Sequence, residues 1–172
     1  MSRPWWLAEF VWALVAIGAI TALYLVAARQ GLPAPAGLVG HGLGILGFLL
    51  MVVAETAYTW RKRPGRNGPG PLRAWLQAHV LAGLVGPYLV LLHSAFRFRG
   101  LAGVLTLLML VIVASGLAGR YLYTAIPEAG AGGTGRRPLS LWYLLHVPLA
   151  AALFVLALFH IAGALYYTRL LR

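Results

Sequence analysis

Residues Leu72 to Arg99 read LRAWLQAHVLAGLVGPYLVLLHSAFRFR, a helix-length apolar run with His79 and His93 set 14 positions apart. A second run, Leu139 to Arg172, reads LSLWYLLHVPLAAALFVLALFHIAGALYYTRLLR and repeats the spacing with His146 and His160. At 100° per residue, fourteen steps come to about 1400°, some 40° short of four full turns, so both histidines of a run project from nearly the same helix face. The rise between them is about 21 Å, which sets one imidazole toward each side of a hydrocarbon layer about 30 Å thick. That is the geometry for two stacked cofactors.

Composition gives the setting. The chain has 172 residues, 61% hydrophobic and only 10% charged, which reads as an integral membrane protein. It has no cysteine, which excludes a c-type haem attachment motif, a thiolate-bound iron–sulfur cluster, a zinc ribbon and any disulfide. Whatever it binds must be held by nitrogen or oxygen. The formal net charge is +11, but its Lys and Arg fall mostly between apolar runs, where they orient helices and meet anionic headgroups. Membrane lipid is therefore the expected partner of the basic residues, and nucleic acid is not.

Five spans are expected, at about 5–28, 38–60, 72–96, 101–123 and 139–167, forming a single all-α transmembrane domain over residues 1–172. The first carries Trp5, Trp6 and Trp12 near its start, as an interfacial aromatic belt does. It lacks a small-residue cleavage site after its apolar run and reads as a retained helix. The second opens with Gly37, Gly40, Gly44 and Gly47, a smooth groove for close helix contact. In the third, Gly83 and Gly86 lie four and seven residues beyond His79, on its own face, where a bulky flat ligand would find bare backbone. Gly103, Ser115, Gly116 and Gly119 are small packing positions of the fourth span. The loop from Pro127 to Pro138, with Glu128 and a Gly/Ala run, reads as a flexible connection, and the fifth span is long enough to pass beyond the bilayer.

Five spans put the termini on opposite sides. Arg3, Arg61, Lys62, Arg63, Arg66, Arg73, Arg120, Arg136 and Arg137 fall on the N-terminal side, against Arg29, Arg97, Arg99, Arg169 and Arg172 on the other. The excess favours a cytoplasmic N-terminus, with a bacterial inner membrane as the expected location.

Spans three and five are separated by one helix and so run parallel. Pairing by depth joins His79 with His146 and His93 with His160. Two imidazoles facing each other are the axial ligand set of a six-coordinate b-type haem held without covalent attachment. The alternatives are polar residues that merely pack between helices and a metal transporter, against which stand the long separation within each run and the scarcity of acids.

The paired His-x13-His runs resemble the dihaem cytochrome b architecture, shared in outline by cytochrome b of the quinol:cytochrome c oxidoreductases and by ferric-reductase-like transmembrane domains. Placement on spans three and five is closer to the latter, and the glycines of span three are similar to those that make room for haem in the former. The resemblance covers about Leu72 to Arg172. It implies two b haems as cofactors, between the third and fifth helices, and transmembrane electron transfer. The sequence shows no flavin or nicotinamide domain and no Pro-Glu-Trp-type quinol motif. The expectation is therefore an electron-transfer subunit without catalysis of its own, in a larger respiratory or photosynthetic-type complex. Partners carrying c-type haem or iron–sulfur clusters would complete it, with quinone as a candidate donor or acceptor. The alternative is a free-standing quinol-linked, ferric-reductase-like oxidoreductase.

Four arginines have two readings each. Arg97 and Arg99 just beyond His93, and Arg73 and Arg120 at the other side, either meet haem propionates or snorkel to headgroups. His41 reads as a solvated interfacial histidine, with a quinone hydrogen bond as the alternative. Glu9 and Glu55 are expected to pair with arginines near the cytoplasmic face, with a proton relay as the alternative.

Overall fold

The computed structural model describes residues 7–29, 31, 33–65, 67–125 and 137–170. Arg3, Trp5, Trp6, Arg66, Glu128, Arg136 and Arg172 lie outside them, as do the side chains of Arg137 and Arg169. Five helices follow in order: α1 (Ala8–Ala28), α2 (Leu38–Lys62), α3 (Leu72–His93), α4 (Gly100–Ala125) and α5 (Arg137–Leu170). All five are long and apolar enough to cross a membrane. Their outer faces are apolar too: Leu14 is 69% exposed and Leu23 72%. Surfaces of that kind are stable against acyl chains, where packing and backbone satisfaction decide the fold.

Local chemistry sets the ends. α2 begins where Gly37 is extended, and stops where Arg63 turns extended ahead of Pro64. α3 begins behind extended Pro71 and continues through Pro87, as α5 does through Pro148. The expected end of the third span at residue 96 is not reached. The Phe96 N–H donates to the Leu91 carbonyl (3.4 Å) and the Ala95 N–H to that of Leu92 (3.1 Å), the paired bonds of a Schellman stop. Ala95 and Phe96 have φ of 47° and 57°, a left-handed region that glycine would enter at lower cost. The helix thus closes on His93 itself.

The chain divides into two compact units, Met1–Arg97 and Phe98–Arg172. In the first, α1 and α3 run parallel. The Gln77 amide donates to Glu9 (3.3 Å). About three turns further along both helices, the Tyr88 hydroxyl donates to Thr21 Oγ1 (2.6 Å), whose own proton goes to the Ile17 carbonyl (2.7 Å). α2 is antiparallel to α3: Gly40 meets His93, Gly47 meets Gly86, and Ala54 meets His79. A methyl on Gly47 would lie 2.7 Å from the Gly86 carbonyl oxygen, so the two backbones touch where neither has a side chain. Val85, Leu89 and Leu92 are buried there.

In the second unit α4 and α5 are antiparallel, with Ser115 against His146 and Gly119 against Trp142. Leu105, Met109, Ala150 and Leu153 form its buried apolar core.

Candidate functional site

His79 and His93 share one face of α3, as the 14-residue spacing requires, and that face looks at α2. His93 Nδ1–H donates to the Gly40 carbonyl at 2.8 Å. His79 Nδ1–H donates to the Ala54 carbonyl at 3.4 Å, with Glu55 Oε2 at 3.8 Å. Gly40 and Ala54 are themselves 14 positions apart (54 − 40), so the same phase recurs on the partner helix. A carbonyl only accepts, which puts the ring proton on Nδ1 and leaves the lone pair on Nε2. This is the tautomer that imidazole ligands adopt when an outer group holds their second nitrogen.

Each ring also has a built seat. A Cβ on Gly44 would lie 2.8 Å from His93 Cγ and 3.0 Å from Nδ1; the glycine at 44 is what lets the imidazole rest on the α2 backbone. His41 stands beside it, with ring centroids 6.2 Å apart, and its own Nδ1 is 3.1 Å from the Gly37 carbonyl one turn back. It is exposed, in line with a solvated histidine. His79 lies by the Tyr58 ring, centroids 5.1 Å apart. Among the described residues Glu55 has no arginine partner: Thr59 donates to it at 2.9 Å, and its other oxygen faces His79.

The two glycines of α3 part ways. Gly86 is buried against α2, where a Cβ would meet Met51 Cγ at 2.7 Å and the Gly47 oxygen at 3.0 Å. The bare backbone expected there for a flat ligand is taken up by helix packing. A methyl on Gly83 meets nothing within 4 Å, so that position is open.

In the second unit, His146 is buried on α5 and Ser115 Oγ lies 3.1 Å from its Nδ1. Trp142, one turn before it, stacks on the imidazole with centroids 5.0 Å apart and planes 23° apart. The indole N–H donates to the Ser115 carbonyl at 2.7 Å. A Cβ on Gly119 would fall within the indole ring, so glycine is required for Trp142 to lie on α4. Gly116 would accept a methyl at 3.5 Å from His146 Cε1. Ser115 and Gly119, expected as small packing positions, do more than pack, and Trp142 joins them; its four-residue spacing from His146 is the signal for it in the sequence. His160 is half-buried on the same helix.

Arg120 is only 5% exposed, one residue beyond the glycine that seats Trp142. Arg73, Arg97 and Arg99 are exposed, the state that headgroup contact requires. Among the described residues no three His, Cys, Asp or Glu side chains gather into a metal-binding group.

Fold and site together define a helical membrane protein in which Gly44 seats His93, and His79, His93 and His146 each place Nδ1 beside an oxygen of a neighbouring helix. Comparison with family models, with curated proteins and with solved structures found no match to this chain.

Proposed function

We propose that the chain is a dihaem membrane cytochrome b that carries electrons one at a time across the bilayer. His79 with His146, and His93 with His160, would hold the haems; these pairs rest on the equal spacings in the sequence. The observation that carries the reading is the state of His79 and His93, whose Nδ1–H groups donate to backbone carbonyls of an adjacent helix, the arrangement that presents Nε2 as a metal ligand; His146 likewise has Nδ1 beside an oxygen of its neighbouring helix, the Ser115 hydroxyl, which can accept or donate. Open space at Gly83 and the buried cation Arg120 also fit a flat anionic cofactor.

Haem ligated by two imidazoles has both axial positions filled and supplies reversible one-electron transfer. The protein's part is orientation. Gly40, Ala54 and Ser115 fix the imidazoles, Gly44 and Gly119 give them or their neighbours room, and Arg73, Arg97, Arg99 and Arg120 are the candidate propionate partners. We place the chain in a larger redox complex, with c-type haem or iron–sulfur proteins and quinone as partners, in a bacterial inner membrane with a cytoplasmic N-terminus.

The test is a dithionite-reduced minus oxidised spectrum of the purified protein with pyridine haemochrome quantification. Two b haems per chain are expected in the wild type and one in His93→Ala. A colourless wild type, expressed with ample haem, overturns the proposal.

A further inference from the structure

Glu55 stands beside a candidate haem ligand and takes no part in the binding described so far. It lies on α2 seven positions (62 − 55) before the last residue, Lys62, about two turns or roughly 10 Å inside the helix end. A carboxylate at that depth is costly and calls for a partner. Among the described residues it meets two groups: Thr59 donates to Oε1 at 2.9 Å, and Oε2 lies 3.8 Å from His79 Nδ1. The Glu55 side chain is 28% exposed and that of His79 23%, so water screens the two less than it screens an ion pair on an open surface.

The two imidazoles of α3 differ in the charge they face. His93 Nδ1–H donates to the Gly40 carbonyl at 2.8 Å, a neutral dipole. His79 Nδ1–H donates to the Ala54 carbonyl across a longer 3.4 Å and has the Glu55 carboxylate on the same side. A carboxylate at the outer nitrogen of a ligating imidazole raises the basicity of the ligand, and outer-shell contacts of this kind are among the levers by which a protein sets a haem potential. Negative charge beside the ligand favours oxidised iron, which carries one more positive charge than reduced iron. The opposing cation, Lys62, stands one ring further out: its Nζ is 5.9 Å from the Tyr58 centroid, itself 5.1 Å from that of His79.

We propose that Glu55 is a positioning residue that acts through His79, lowering the midpoint potential of the haem held there and leaving that of the haem at His93 unchanged, a role that rests on the dihaem reading above. α2 thus treats the two sites unequally, with a charge beside one imidazole and a carbonyl alone at the other.

The test is a spectroelectrochemical titration of the full chain, purified with its haem in mild detergent. Glu55→Gln keeps the shape of the side chain and removes its charge. At a fixed applied potential the reduced-to-oxidised ratio of one haem should rise about tenfold, the lower end of outer-shell effects, which is about 59 mV for a one-electron couple; the other haem should not move. Glu55→Asp, which keeps the charge, should shift that midpoint less. His93→Ala, which retains only the haem at His79, should show the full Glu55→Gln shift, and His79→Ala should show none. Two haems whose midpoints Glu55→Gln leaves in place, lowers, or raises equally overturn the role of Glu55 and leave the dihaem reading standing. So does loss of one haem from Glu55→Gln, which would make the residue a support for the ligand without influence on its potential. A colourless wild type overturns both.

Discussion

The two helix pairs solve one problem in different ways. Between α2 and α3 the imidazoles rest directly on backbone: Gly44 seats His93, and the carbonyls of Gly40 and Ala54 hold the two Nδ1 atoms. Between α4 and α5 an indole is interposed, so that Gly119 seats Trp142, Trp142 stacks on His146, and Ser115 holds both rings with two different oxygens. A backbone carbonyl can be lost only with the helix that carries it. A serine hydroxyl can be lost by one substitution. The first unit is therefore sensitive to space and the second to side-chain chemistry as well.

Substitutions can separate the two designs. The largest effect is expected from Gly119→Ala, because its methyl would enter a rigid indole pinned at one end; about 2–3 kcal/mol of stability should be lost, read by denaturant titration in detergent followed by far-ultraviolet circular dichroism. Gly44→Ala should cost less, about 1–2 kcal/mol, since its methyl would meet the His93 ring at 2.8–3.0 Å rather than overlap it. Equal losses at the two glycines would remove the distinction.

Ser115→Ala comes next, at about 0.6–1.7 kcal/mol for a hydrogen bond inside a membrane protein. In the dihaem protein proposed above it should also change the low-spin EPR signal, which reports the angle between imidazole planes, whereas the indole bond to the Ser115 carbonyl survives. An unaltered signal in a dihaem protein would mean that the hydroxyl does not orient His146. Tyr88→Phe, remote from both seats, should cost about 0.6 kcal/mol and leave haem content unchanged. Ala95→Gly should be slightly stabilising, by about 0.5 kcal/mol, as relief at positive φ outweighs glycine's added chain entropy; a loss of thermal stability would contradict the strain assigned to that turn.

Much of this was legible in the residues. Five apolar runs gave five helices because a spanning segment must be continuous, apolar and long, a signal that no tertiary context overrides. The shared face of His79 and His93 followed from helix period alone. Their neighbour did not: nothing in α3 says which helix lies opposite, and the seat at Gly44 is 49 positions away in the chain (93 − 44). Gly86 was misjudged for the same reason, its bare backbone being filled by Gly47 and Met51. The Schellman stop at Ala95 was hidden because its usual marker, glycine, is absent. Glu9 and Gln77 are 68 positions apart, and only the fold brings them together.

The matched spacing on α2 and α3 has a consequence for how this chain can change. Gly40 and Ala54 address His93 and His79 across an antiparallel contact, so the two helices are locked in phase at both ends of a stretch about 21 Å long. One residue inserted or deleted between Gly40 and Ala54 would turn one end about 100° against the other and shift it by about 1.5 Å, so that only one imidazole could keep its carbonyl. Apart from Gly44 and Gly47, side chains along that stretch are open to drift; its length is not. Indels should be tolerated in the connection before α3 and rejected between these two marks.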